Sequence, residues 1–197
     1  VRSGRPASSS SAQDHKGYLG SWSTNAPGKA KIHAWRMIRN GLAVGHELHR
    51  RRIKPGVFCA ACGREETVLH RFWSCPRSSQ YWQIFSSEKG VSVATPPLSI
   101  GSQKELSNWL LHFFASAAEE EKQALIHATY GMWLARNEAR DGRRIAHPHE
   151  IVEGVYSHMM EWRSTHAGEV QAPKPRCEQK WEAPAPRWVK VNSDGPV

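Results

Sequence analysis

Three cysteines and a histidine stand in one short stretch, CAACGREETVLHRFWSCP, from Cys59 to Pro76. Their spacing is C-x2-C-x7-H-x4-C. Two cysteines separated by two residues can turn both sulfurs to one side of a tight bend, and Gly63 permits that bend after Cys62. His70 and Cys75 then offer a second pair from the segment that follows. Three thiolates and one imidazole select zinc (Zn2+) over magnesium or calcium. Four protein ligands leave no open coordination position, so the expected role of Cys59, Cys62, His70 and Cys75 is structural. Two other readings of the cysteines account for less. A redox pair at Cys59 and Cys62 lacks a surrounding βαβ pattern, and plain core cysteines leave the spacing of His70 and Cys75 unexplained. Cys177, in a proline-rich stretch, reads as a spectator, and His46 and His49 as solvated side chains.

Other chemistry is sparse. Glu119, Glu120 and Glu121 form a run at an expected helix start, where acids favour the helix dipole. No Gly-rich phosphate loop and no nucleophile–base pairing can be singled out, and no small-molecule substrate is implied. The net charge of +9 is concentrated: residues 1–57 hold eleven Lys/Arg against Asp14 and Glu47, while the rest of the chain balances. Such an excess favours a polyanion partner, nucleic acid above all, because each neutralised phosphate releases counterions. Arg50, Arg51, Arg52 and Lys54 lie just before Cys59 and are the candidate phosphate contacts. Four such contacts predict a log–log salt slope near roughly −3 on single strands. Phe72 and Trp73 are the stacking candidates, with core packing the competing use. No apolar run approaches the length of a membrane span. The absence of an apolar leader, with few cysteines, points to an intracellular protein, nuclear or cytoplasmic and not secreted.

The elements that must position these residues read as mainly α. Residues 1–24, with SSSSAQDH, read as a disordered basic arm. Ile32, Trp35, Ile38 and Leu42 recur at helical spacing, and a short helix is expected from Glu47 to Arg51. After Cys75-Pro76 a helix to Glu88 should bury Trp82 and Phe85. Ser102 with Glu105 forms a capping box ahead of the stripe Leu106, Trp109, Leu110, Phe113, Phe114 and Ala117. A helix from about Glu119 should present Leu125, Ala128, Met132 and Trp133 and end at Gly142. Another, from Pro148, should carry Val152, Val155, Met159 and Trp162. Residues 166–187 hold four prolines and read as a linker. Residues 188–193 alternate as a single β-strand. The expected architecture is a small zinc-stapled helical module over 25–90, a helical connector over 102–165 and an isolated strand in 188–197.

HAWRMIRNGLAVGHELHRRRI followed by CAACGREETVLHRFWSCPRSSQYW resembles the zinc-binding domain that follows the polymerase in plant LINE-type (non-LTR) reverse transcriptases. The shared features are Trp35-Arg36, Asn40-Gly41-Leu42, Leu48 with Arg50-Arg51, Cys59 and Cys62, Glu66-Thr67, His70 with Phe72, Cys75-Pro76 and Trp82. That family usually has Thr where Gly45 stands. GMWLARNEARDG resembles the Trp-x-x-Arg-Asn helix found between this module and an RNase H-like domain, and WEAPAPRWVKVNSDG resembles the start of that domain. The resemblance makes Asp194 the counterpart of its first metal-binding carboxylate. One carboxylate cannot hold the two ions of such a nuclease, so the expectation is a non-catalytic retroelement-derived module that binds zinc and nucleic acid. A structural or protein–protein connector and a fragment of an active RNase H-like nuclease are the alternatives. As separate units, 30–85 should unfold on chelation while the helices of 102–162 persist.

Overall fold

The computed structural model describes residues 9–53, 56–167 and 186. Seven α-helices and one π-helical turn form the described part: α1 (Ser9–Ser23), α2 (Gly28–Ile38), α3 (Gly45–Arg50), the π-turn (His70–Ser74), α4 (Pro76–Lys89), α5 (Gln103–Ser116), α6 (Glu119–Arg140) and α7 (Pro148–Thr165). The only pairing of extended backbone among the described residues is a single antiparallel bridge between Phe58 and Glu65. The mainly helical expectation holds. The strand over 188–193, Asp194, Cys177 and the linker lie outside the described residues, apart from His166, Ala167 and Pro186.

The amphipathic stripe on α5 behaves as its spacing requires. Leu106, Leu110, Phe113 and Phe114 are buried. At its start, Ser102 Oγ accepts from the Glu105 amide at 3.3 Å, and the Glu105 carboxylate accepts from the Ser102 amide at 2.9 Å. On α6, Leu125, Ala128 and Met132 are buried, and Gly142 follows the helix at φ 87°. On α7, Val152, Val155 and Met159 are buried.

The arm expected to be disordered is corrected by α1, which lies against α5. Gly17 and Gly20 make this contact possible. A Cβ at Gly17 would sit 2.4 Å from the Leu111 carbonyl oxygen, and one at Gly20 only 1.9 Å from that of Phe114. Two glycines one turn apart read in sequence as helix-weakening residues; here they let two backbones meet.

On α2 the buried face differs from the expected one. Ala30, His33, Ala34, Met37 and Ile38 are buried, while Ile32 is 43% and Trp35 38% exposed. Residues 30, 34, 37 and 38 also fit a helical stripe, and their small members suit a helix pressed against α1, α5 and α6. One continuous core joins this helix to the rest, from Met37 and Phe72 through Phe85 and Leu110 to Leu125 and Met159. The zinc-type segment and the later helices are therefore not separately cored units.

Candidate metal centre

The donor atoms of Cys59, Cys62, His70 and Cys75 all lie within 4.8 Å of one another. Cys59, His70 and Cys75 are buried and Cys62 is half-buried. A tight turn places the first pair: the Gly63 amide donates to the Cys59 carbonyl at 2.8 Å, and Gly63 takes φ 73°. The Phe58–Glu65 bridge closes this loop, with the Cys59 amide donating to the Arg64 carbonyl at 2.7 Å.

The π-turn places the second pair. Residues five apart on an α-helix point about 140° away from each other. Here the Cys75 amide reaches the His70 carbonyl at 2.9 Å, widening the turn, and Cys75 leaves it in extended conformation at ψ 134°. Single π-turns in helices are frequent at functional sites. The carbonyls of the widened turn find partners on α4. Ser78 Oγ donates to Arg71 O at 2.6 Å, Ser79 Oγ to Trp73 O at 3.0 Å and Trp82 Nε1 to Phe72 O at 2.6 Å. Thr67 Oγ1 accepts from the His70 amide at 3.0 Å at the other end. The Thr, the Cys-Pro step and the trailing Trp thus serve one local structure.

The donor set fits zinc. Metal–sulfur bonds of about 2.3 Å in a tetrahedron give sulfur–sulfur edges of about 3.8 Å, and Cys62 Sγ lies 3.8 Å from Cys75 Sγ. Cys62 Sγ is 3.2 Å from His70 Nε2. The hydrogen bond between Cys59 and Cys75 lowers the Cys59 thiol and raises that of Cys75, so the pair shares a proton that a bound metal would displace. Arg71 is buried behind this group. Burial lowers its guanidinium, while Glu66, Cys59 and Cys75 favour its charge. Three thiolates around a divalent ion leave one excess negative charge, which Arg71 can balance.

Glu66 ties the centre to two distant elements. Its Oε2 accepts from the Gly45 amide at 2.8 Å, at the start of α3. Arg136 on α6 grips both carboxylate oxygens, Nε reaching Oε1 at 3.0 Å and Nη2 bonding Oε2. Both partners are nearly buried. Glu66 of the Cys/His stretch and Arg136 of the Trp-x-x-Arg-Asn helix, read separately in the sequence, are one ion pair in space.

The candidate phosphate contacts divide. Arg50 is bound by Glu47, Nε at 3.0 Å and Nη2 at 2.6 Å. Glu47 is itself 2% exposed and accepts from Asn40 Nδ2 at 2.9 Å. Burial would raise the Glu47 carboxyl, but Arg50 and Asn40 outweigh it and hold it low. Arg51 approaches Glu47 at 3.9 Å and is exposed, as is Arg52. Lys54 lies outside the described residues. Phe72 and Trp73 are buried, at 0% and 8% exposure, so neither is a stacking platform. His46 is exposed on Glu65 at 2.5 Å, and His49 is exposed; neither joins the Cys/His group. A second group, Glu88, His149 and Glu153, sits at the surface with Lys89 on Glu153, an ordinary ion-pair network.

Residues 7–82 match a family model described as zinc-binding in reverse transcriptase. The match takes in α1 as well as the Cys/His stretch. The "Putative ribonuclease H protein At1g65750" of Arabidopsis thaliana is 26% identical over 186 residues, 88% of this chain. The chain spans 28% of that relative's length. No solved structure matches. The resemblance to a retroelement-type reverse-transcriptase zinc-binding domain beside RNase H-like sequence is borne out by both matches.

Proposed function

We propose that this chain holds one Zn2+ on Cys59, Cys62, His70 and Cys75 and offers a basic face to nucleic acid, without catalysing a reaction itself. The convergence of four donor atoms within 4.8 Å carries the metal reading. When bound, the ion cross-links the 59–63 turn to the π-turn and leaves no position for substrate. Residues 28–53 support the partner: they hold seven Lys/Arg, of which Lys31 is buried, and one acid, Glu47, which is buried and paired with Arg50. Because Arg50 must leave Glu47 to meet a phosphate, Arg51 and Arg52 are the stronger contacts.

Metal analysis of purified protein should find one zinc per chain, lost in Cys59→Ser, Cys62→Ser and Cys75→Ser and kept in Cys177→Ser; folded protein without zinc would refute the site. Oligonucleotide binding should weaken steeply with salt. Changing Arg51 and Arg52 to Ala should reduce the slope by roughly 1.4, two contacts at about 0.7 each. An unchanged slope would make them a merely solvated face.

Two observations favour a second reading, a connector. The Glu66–Arg136 pair and the shared core make the metal segment a brace for α6. Absence of oligonucleotide binding even at low salt would select that reading. Ribonuclease H is the name of the Arabidopsis relative; for this chain the proposal is no cleavage of an RNA–DNA hybrid. Cleavage abolished by Asp194→Asn would overturn it. Among the described residues no helix is long and apolar enough to cross a membrane, and zinc thiolates suit a reducing nuclear or cytoplasmic setting.

A further inference from the structure

We propose that the cleft between α2 and α6 receives the base of one unpaired nucleotide, with Tyr130 and Trp133 as its aromatic wall, His33 at its floor and Lys29 and Arg36 at its mouth. The proposal rests on the nucleic-acid reading above and names where and how a strand would be held.

The cleft measures about 320 Å³, within the span of small-ligand sites. His33 is only 4% exposed, yet neither ring nitrogen has a hydrogen-bond partner among the described residues. Burial and nearby Arg36 push the imidazole down to about 3, so at neutral pH it carries one donor and one acceptor. Leaving both unpaired in a buried place is costly. The two nitrogens diverge around the ring and both are closed to solvent, so a base edge complements one of them as the ring turns toward the cleft. The Tyr130 ring lies 5.7 Å from that of His33, and the Trp133 ring 5.8 Å. Arg136, already held by Glu66, lies 5.1 Å from the Trp133 centroid and fixes that ring. Lys29 and Arg36 are both exposed and line the cleft. Seven residues apart, they stand about 10 Å apart along the helix, suited to phosphates on either side of an inserted base. Among the described lining residues there is no Asp or Glu. Aromatic walls, a neutral imidazole at the floor and a cationic mouth together describe a nucleotide better than a peptide or a metal. A paired base has its edge occupied, so the strand must be single.

The test uses the zinc-loaded full chain and a fluorescent single-stranded oligonucleotide, beside the same strand with abasic sites. Wild-type protein should bind the intact strand more tightly than the abasic one. Tyr130→Ala should lower affinity for the intact strand by roughly 5- to 150-fold, the worth of one base–aromatic stack, and His33→Phe should lower it several-fold. Neither change should alter the salt slope. Exchanging exposed Lys29 and Arg36 for Ala should instead reduce the slope by roughly 1.4. Wild-type protein gives a check free of folding defects: the His33 ring-proton resonances should move with the intact strand and stay with the abasic one. Intact and abasic strands bound equally, with His33 unmoved, would overturn the base pocket and leave nucleic-acid binding standing. No binding of either strand at low salt would overturn both.

Discussion

At the scale of the residue, two side chains carry consequences that can be measured. Trp82 Nε1 donates to Phe72 O, a carbonyl exposed by the widened π-turn. Trp82→Phe keeps a ring and removes the donor. An unsatisfied buried carbonyl costs about 1–3 kcal/mol, so urea unfolding of zinc-loaded protein should show a loss of that order; unchanged stability would mean the bond is dispensable. His33 gives a pH dependence. Its ordinary value is near 6.5, and burial holds it down to about 3 in the folded state. The unfolded chain therefore takes up a proton in a window where the folded chain does not. The resulting stability is full above about pH 6.5 and is lost as pH falls toward about 3. His33→Phe should reduce the fall in stability between about pH 7.5 and about pH 5. Zinc ligands also protonate on acidification, so both proteins must be compared at equal zinc occupancy. Identical falls would show that His33 is not held neutral.

At the scale of the element, glycines decide which helices meet. Gly20 faces the Phe114 carbonyl so closely that no Cβ fits. Gly20→Val should release α1 from α5, seen as faster amide exchange and protease cleavage within Ser9–Ser23, while the zinc content stays the same. A segment equally protected in both proteins would contradict the docking. Gly45 poses the same problem beside the metal loop. A Cβ there would lie 2.5 Å from the Val57 carbonyl oxygen. The Thr usual in the resembling family should therefore be harmful in this chain, by about 1–3 kcal/mol as overpacking generally is. The Gly45 amide serves Glu66 instead, which takes over the work of capping α3.

At the scale of the whole molecule, the core and the Glu66–Arg136 pair join what the sequence divides. Asn25 adds a third tie. Its amide reaches Glu119 Oε1 at 2.7 Å, and its side chain accepts from Trp162 Nε1 at 3.0 Å. Structural zinc contributes on the order of 10 kcal/mol, comparable with the net stability of a domain. Chelation should thus loosen α5–α7 together with residues 30–85, in one transition by circular dichroism and Trp fluorescence. Two separate transitions would restore the divided architecture. Arg136→Met should cost about 3–5 kcal/mol by stranding the buried Glu66, and Glu66→Leu placed in the same chain should recover much of it.

The sequence by itself determined which cysteines and histidine gather in one group, the helices of strong period and the capping box. Cysteine spacing is a local property, and an apolar stripe such as Leu106–Phe114 needs no knowledge of its partner. Gly63 was likewise legible as a bend, because turn chemistry resides in the residues that make it. Tertiary structure alone decided the rest. Ala30 and Ala34 are weakly hydrophobic, so only the closeness of neighbouring helices could show that they, rather than Ile32 and Trp35, face inward. Gly17 and Gly20 carry no side-chain signal, and their use appears only against the backbone of α5. Glu66 and Arg136 stand seventy residues apart, and His33 becomes chemically notable only once burial leaves both its ring nitrogens without a hydrogen-bond partner among the described residues. Pairing across such distances is a matter of packing, which local period and propensity do not encode.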